Sequence, residues 1–356
     1  MKQLQREYKR IVIKIGASLL YSERSKLDGS FVSSISSQIS DLIKEGREVV
    51  IVSSGAIALG MSILKLQERP RELSFLQACA AIGQHELMET WGRFFKEENF
   101  NCGQVLLTWE DFEERRRYLN AKNTLLTLLK LKSIPVINEN DTVSTDEIKF
   151  GDNDRLSALV STMIAADLLI ILSDVEGLLQ KDKKTVIRLV DKITPQIKAL
   201  ACPTNKKTCV GGMVTKLEAA KIASDSGIPC VIADGKKKDV IKLCVENTDE
   251  AGTLFLPREE SLAARKRWIA FGTKSKGKII VDDGAKRALL NNKSLLCVGV
   301  VDVIGDFASG STVSVLDSQK NEFARGKVSI SGKELEKVKG RHFDKEIIHR
   351  DNIVIL

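Results

Sequence analysis

Two short stretches gather carboxylates and amides. Asn138-Glu139-Asn140-Asp141 follows the apolar run Ile134–Ile137, and Gly151-Asp152-Asn153-Asp154-Arg155 comes shortly after. Acids and amides grouped beyond a strand end could hold a metal ion or a polar ligand. Three other segments are suited to anions. Lys14-Ile15-Gly16-Ala17-Ser18 closes an apolar run, where a lysine head and open backbone N–H groups would face a ligand. Val52-Ser53-Ser54-Gly55-Ala56 leads small residues into a helical pattern. Val210-Gly211-Gly212-Met213-Val214-Thr215-Lys216 is a Gly-Gly turn feeding another helix that carries a lysine. Helix N-termini bind anions through free N–H groups and the helix dipole. Singly, each is an ordinary strand–turn–helix joint; together with the acidic cluster they point to a nucleotide phosphate site.

Phosphoryl transfer fits what is scarce. The chain has three histidines, His85, His342 and His349, of which His85 falls in a helical, core-like pattern. A Ser-His-Asp or Cys-His mechanism has little to work with, and zinc lacks clustered Cys and His. Moving a phosphoryl group needs mainly positioning and charge neutralisation. A carboxylate acceptor is already ionised at pH 7 and needs no general base. The stretch Gly272-Thr273-Lys274-Ser275-Lys276-Gly277-Lys278 imitates a P-loop, but Ile279 stands where the magnesium-binding hydroxyl belongs. It reads as an accidental likeness within a basic linker.

The elements that must position these residues alternate along the first 260 positions. Strands are expected at 10–15, 48–52, 104–107, 134–137, 168–172 and 229–233, with helices at 31–45 and 73–95 and others between. That alternation predicts an α/β fold around a mostly parallel, doubly covered sheet. Ligands then bind beyond the carboxyl ends of the strands. After Pro257 the pattern changes to short β-type runs at 278–281, 297–303, 312–316, 324–329 and 352–356, with one helical stretch at 284–291. A small, mainly β module is expected there. The expected division is 1–262, a linker at 263–276, and 277–356.

A hydrophobic fraction of 43% and a charged fraction of 29% suit a soluble protein with sizeable cores. No apolar run has the length of a membrane span, and no apolar leader opens the chain. Seven scattered cysteines read as reduced thiols, so a cytoplasmic location is expected. The net charge of +8 is uneven. Residues 1–262 hold 37 Lys and Arg against 36 Asp and Glu, whereas 263–278 holds six bases and no acid. The excess therefore belongs to the linker, which weakens a nucleic-acid reading of the whole chain.

The large region resembles the amino-acid kinase family. The likeness is carried by Val12-Ile13-Lys14-Ile15-Gly16, Val50–Ile57, Pro135–Asp141, Gly151–Ala158, Leu172-Ser173-Asp174-Val175-Glu176-Gly177-Leu178 and Gly211–Lys216. Leu106-Leu107-Thr108 and Arg117–Ala121 also match, and the C-terminal module is similar to a PUA domain. The resemblance implies a three-layer α/β/α kinase domain with a mostly parallel open sheet. It also implies ATP-dependent phosphorylation of the γ-carboxylate of L-glutamate to glutamyl 5-phosphate, the opening step of proline synthesis. Lys14 and Lys216 would neutralise the moving phosphoryl group, with Asp154 orienting both. Ser54, Asp141 and Asn153 would bind glutamate, with Asn138 and Asp152 nearby. Ser173, Asp174 and the loop Val210 to Lys216 would hold ATP, with Mg²⁺ on its phosphates. A reductase that takes up the product, proline as feedback inhibitor and a homo-oligomer are further implications; no membrane is involved.

The sequence departs from the family's pattern at three places. Ala17 replaces a Ser or Thr near the phosphates, Cys209-Val210 replaces Gly-Thr in the glycine-rich loop, and Leu179–Lys184 lacks the usual Tyr and Asp-Pro. Two other readings compete. One is a sister kinase acting on aspartate, acetylglutamate, carbamate or a nucleotide. The other is RNA binding through the PUA-like module, against which the near-neutral charge of 279–356 counts.

Overall fold

The computed structural model describes residues 7–21, 27–143, 153–182, 184–201, 212–258, 264–273 and 275–356. The chain divides into two compact units, Met1–Ser261 and Leu262–Leu356.

Among the described residues, eight strands build the sheet of the first unit. They are β1 (Arg10–Ile15), β2 (Glu48–Ser53), β3 (Cys102–Leu107), β4 (Ile134–Glu139), β5 (Leu168–Ser173), β6 (Leu189–Val190), β7 (Cys230–Asp234) and β8 (Gly252–Phe255). Their order is β3-β4-β2-β1-β5-β7-β8-β6. Every neighbouring pair is parallel except β7 with β8. The fold is thus the expected mostly parallel α/β sheet. The central strands are almost unbroken runs of Ile, Val and Leu because both faces are covered, leaving nowhere for polar residues to point.

Alternation along each strand sorts its side chains between two layers. Ile11, Ile13 and Ile15 of β1, with Val49 and Ile51 of β2 and Leu168, Ile170 and Leu172 of β5, join one core with Val32, Ile35 and Ile39 of helix Gly29–Lys44. Leu87, Trp91 and Phe95 of helix Leu73–Glu97 complete it. The other face, carrying Val12 and Lys14, meets helix Asn153–Ile164, which packs beside helix Met213–Asp225. Asp28 starts helix Gly29–Lys44 by accepting hydrogen bonds from the N–H groups of Ser30 and Phe31.

The strands run one or two residues further than the apolar patterns suggest. Ser53, Asn138-Glu139, Ser173 and Asp234 are in strand conformation, so polar residues of interest are themselves strand ends. Strands β6 and β8 have no counterpart in the sequence reading; four residues or fewer give too short a pattern. His85 lies on the exposed face of its helix rather than in the core.

The second unit has its own core and five strands: β9 (Lys278–Val281), β10 (Val300–Ile304), β11 (Thr312–Leu316), β12 (Glu322–Lys327) and β13 (Ile353–Ile355). Their order is β10-β9-β11-β12-β13, parallel only between β9 and β11. Helix Asp283–Leu290 was expected, and helix Gly332–Val338 was not, although Ser331 and Glu334 form a capping box at its start. Part of the stretch expected as a linker is also helical, Ala264–Phe271, and packs on β12 and β13. Lys278 of the P-loop look-alike opens strand β9, so no phosphate-cradling helix follows it. Among the described residues, no helix is long and apolar enough to cross a membrane.

Candidate active site

The sheet changes direction at β1, whose neighbours β2 and β5 lead the chain outward to opposite sides. Crevices beyond such a strand are the usual ligand sites of open α/β sheets. Four candidate segments converge there. Lys14 and Gly16 end β1, Ser53-Ser54-Gly55 ends β2, Asn138–Asp141 ends β4, and Ser173-Asp174 ends β5. The joints are tied together by backbone hydrogen bonds, Gly16 N–H to the Leu172 carbonyl at 3.1 Å and Ser54 N–H to the Ile15 carbonyl at 3.2 Å. Gly55 adopts φ 108° before helix Ala56–Ile63, a conformation that disfavours side chains, and its carbonyl accepts a short hydrogen bond from the Tyr21 hydroxyl.

Helix Asn153–Ile164 delivers two side chains to this crevice from consecutive positions at its start. Asp154 is 1% exposed, and each carboxylate oxygen meets a lysine: Lys14 Nζ lies 2.5 Å from Oδ1 and Lys216 Nζ 3.1 Å from Oδ2. Both lysines are buried as well. The Thr215 hydroxyl donates to Oδ2 at 2.9 Å. Burial alone would raise the Asp154 pKa, but the charges of Lys14 and Lys216 and the hydrogen bonds from Lys14 and Thr215 outweigh it and lower it to about 2. One carboxylate between two ammonium groups leaves an uncompensated positive charge in a low-dielectric place. That suits a polyanion such as a nucleotide's phosphates.

Asn153 looks the other way. Its Nδ2 donates to the Asn138 Oδ1 at 2.8 Å, the Ser54 hydroxyl at 2.9 Å and the Ser53 carbonyl at 3.3 Å. Its Oδ1 is buried without a partner. Buried amide oxygens are rarely left so, which makes this one a candidate acceptor for a ligand's donor. Asp141 lies nearby in sequence, partly buried; burial pushes its pKa up to about 6, against the opposing pull of the Arg69 charge.

The ATP-side candidates are less connected. Ser173 is buried and its hydroxyl donates to Asp174 at 3.3 Å. Gly212 precedes helix Met213–Asp225, where Val214 is exposed and the Thr215 hydroxyl accepts from the Gly212 N–H at 3.3 Å. Asp152, Val210 and Gly211 lie outside the described residues. Among the described residues, no group of three or more His, Cys, Asp or Glu could hold a metal ion.

Some participants escaped the sequence reading. Thr215 was expected on ATP rather than on Asp154. Gln84, buried in helix Leu73–Glu97, accepts from Asn138 Nδ2 at 2.7 Å. Trp109 carries the Arg155 guanidinium 4.2 Å above its ring centre.

Comparison with known proteins identifies the family of each unit. Residues 9–234 match the Amino acid kinase family, and residues 277–350 match the PUA domain. A glutamate 5-kinase of Thermoanaerobacter pseudethanolicus is 44% identical over 98% of both chains. That of Caldanaerobacter subterraneus is 45% identical over 98% of both, and that of Syntrophotalea carbinolica 43% over 99% of both. With the family match covering most of the first unit and such relatives aligning end to end, the chain belongs to the amino acid kinase family and carries a C-terminal PUA domain.

Proposed function

We propose that the protein transfers the γ-phosphoryl group of ATP to the side-chain carboxylate of L-glutamate, giving ADP and glutamyl 5-phosphate. The observation that carries this reading is the division of labour at the start of one helix. Asp154 engages Lys14 and Lys216, while Asn153 engages Ser54 and Asn138. Phosphoryl donor and amino-acid acceptor are thereby assigned to adjoining halves of one crevice.

In this reading a γ-carboxylate oxygen forms a bond to the γ-phosphorus as the bond to the β,γ-bridging oxygen breaks and ADP leaves. The acceptor is ionised at neutral pH, so no proton is moved and no histidine is needed. Lys14 and Lys216 offset charge on the phosphoryl oxygens, and Asp154 holds both ammonium groups in place. Asn153 Oδ1 and Asp141 would receive the substrate ammonium, with Ser54, Asn138 and Asp152 completing the pocket. Ser173, Asp174 and the loop Val210 to Lys216 would hold the nucleotide. Magnesium would arrive on the ATP phosphates and add positive charge there.

An acyl phosphate hydrolyses readily, so a reductase that consumes it promptly is the companion we infer. Inhibition by proline at the glutamate pocket and assembly of identical chains belong to the same reading. Trapping the product with hydroxylamine tests the central point. Hydroxamate should form with glutamate and ATP; formation with aspartate alone, or with acetylglutamate alone, would overturn the assignment.

A further inference from the structure

Gln84 belongs to none of the segments that resemble the family's motifs, yet it sits at the end of a hydrogen-bond relay into the acceptor half of the crevice. We propose that Gln84 is a positioning residue that fixes the orientation of the Asn138–Asn153 amide pair and so sets affinity for the amino-acid acceptor. The inference rests on the kinase reading above.

The orientation of each amide follows from the groups around it. The Glu139 backbone N–H can only donate, and it lies 2.9 Å from Asn138 Oδ1. Asn138 must therefore turn its oxygen that way and its Nδ2 toward Gln84 Oε1, 2.7 Å off. The same Asn138 oxygen then accepts from Asn153 Nδ2, which also reaches Ser54. Asn153 is left with a free buried acceptor, Oδ1, suited to an ammonium. Without the Gln84 oxygen, Asn138 Nδ2 would be buried and unpaired. Only the Glu139 N–H and Asn153 would then hold the Asn138 amide, and any shift of it toward another acceptor would carry Asn153 Oδ1 out of place for the ammonium.

A second observation separates this role from simple packing. Gln84 Nε2 is itself buried with no partner, which works against stability. A residue kept only for packing would be better served by an apolar side chain. Its turn of helix is also pinned, since a Cβ on the adjoining Gly83 would lie 1.8 Å from the Ala56 carbonyl oxygen.

The test begins with hydroxamate formation by the wild-type protein; if glutamate gives none, the kinase reading fails and Gln84 is not at issue. Given wild-type activity, Gln84→Met and Gln84→Leu should raise the glutamate KM about tenfold or more. The KM for ATP should stay put, and the urea midpoint should shift little, because removing the orphaned Gln84 Nε2 offsets the newly unpaired Asn138 Nδ2. In an Asn138→Ala background, adding Gln84→Met should leave the glutamate KM unchanged, because the relay is already cut. An unaltered glutamate KM in folded Gln84→Met and Gln84→Leu proteins, or additive effects with Asn138→Ala, would overturn the proposal.

Discussion

A carboxylate between two ammonium groups stabilises the fold only while it is charged. Asp154 has its pKa lowered in the folded protein, so its contribution is complete above the ordinary value of 3.8 and is lost as pH falls toward about 2. Asp154→Asn should therefore cost about 3–5 kcal/mol at neutral pH, by leaving two buried lysines unpaired. The gap from wild type in urea titrations should close through that acid window. Lys216→Ala should lower kcat about a hundredfold or more with an unchanged circular dichroism spectrum; wild-type turnover would remove Lys216 from the mechanism. Asp141 titrates in the opposite sense. Its pKa is raised to about 6, so the folded protein loses stability as pH rises from 3.8 through 6. A substrate ammonium needs the ionised form. The glutamate KM should thus rise about tenfold per pH unit below 6, and Asp141→Asn should flatten that slope at a higher KM. Lys14 and Lys216 were legible in the sequence because a lysine at a strand end or after Gly-Gly has few other uses. The Thr215–Asp154 bond was not, since it joins residues 61 positions apart that no local pattern links.

The elements are positioned by close approach as much as by apolar burial. Helices Ala56–Ile63 and Leu73–Glu97 touch backbone to backbone, where a Cβ on Gly60 would come 1.8 Å from the Cys79 carbonyl oxygen and one on Gly83 equally near that of Ala56. Neither obstacle is a flexible side chain, so the helices must separate to admit a methyl group. Gly83→Ala should lower stability by about 1–3 kcal/mol in denaturant titrations. It should also raise the glutamate KM, because Gln84 moves with its helix. The apolar runs revealed the central strands almost to the residue, since burial on both faces leaves a continuous signal. They stopped short at Ser53, Glu139, Ser173 and Asp234, where the residues turn polar while the strand pairing continues. Gln84 stayed hidden because a polar residue in a long helix ordinarily faces solvent.

At the scale of the whole molecule, the two units have separate hydrophobic cores, one drawing on residues between Tyr8 and Ala251 and the other on residues between Ile279 and Ile355. Calorimetry should resolve two transitions, and a chain ending at Ser261 should keep the first together with glutamate-dependent hydroxamate formation. A single sharp transition, or an unfolded truncated chain, would show that the units depend on each other. The change in pattern after Pro257 made the second unit visible in the sequence, but the basic run before it hid a helix, since charge says little about conformation. The adjoining placement of Asn153 and Asp154 has an evolutionary consequence. If Asn153 faces the acceptor as proposed, a rigid helix cannot be shifted to suit a new acceptor without dragging the lysine pair out of register. Descendants that change substrate are therefore constrained to keep the backbone at this point and to diversify the side chains of β2, β4 and the helix bearing Gln84.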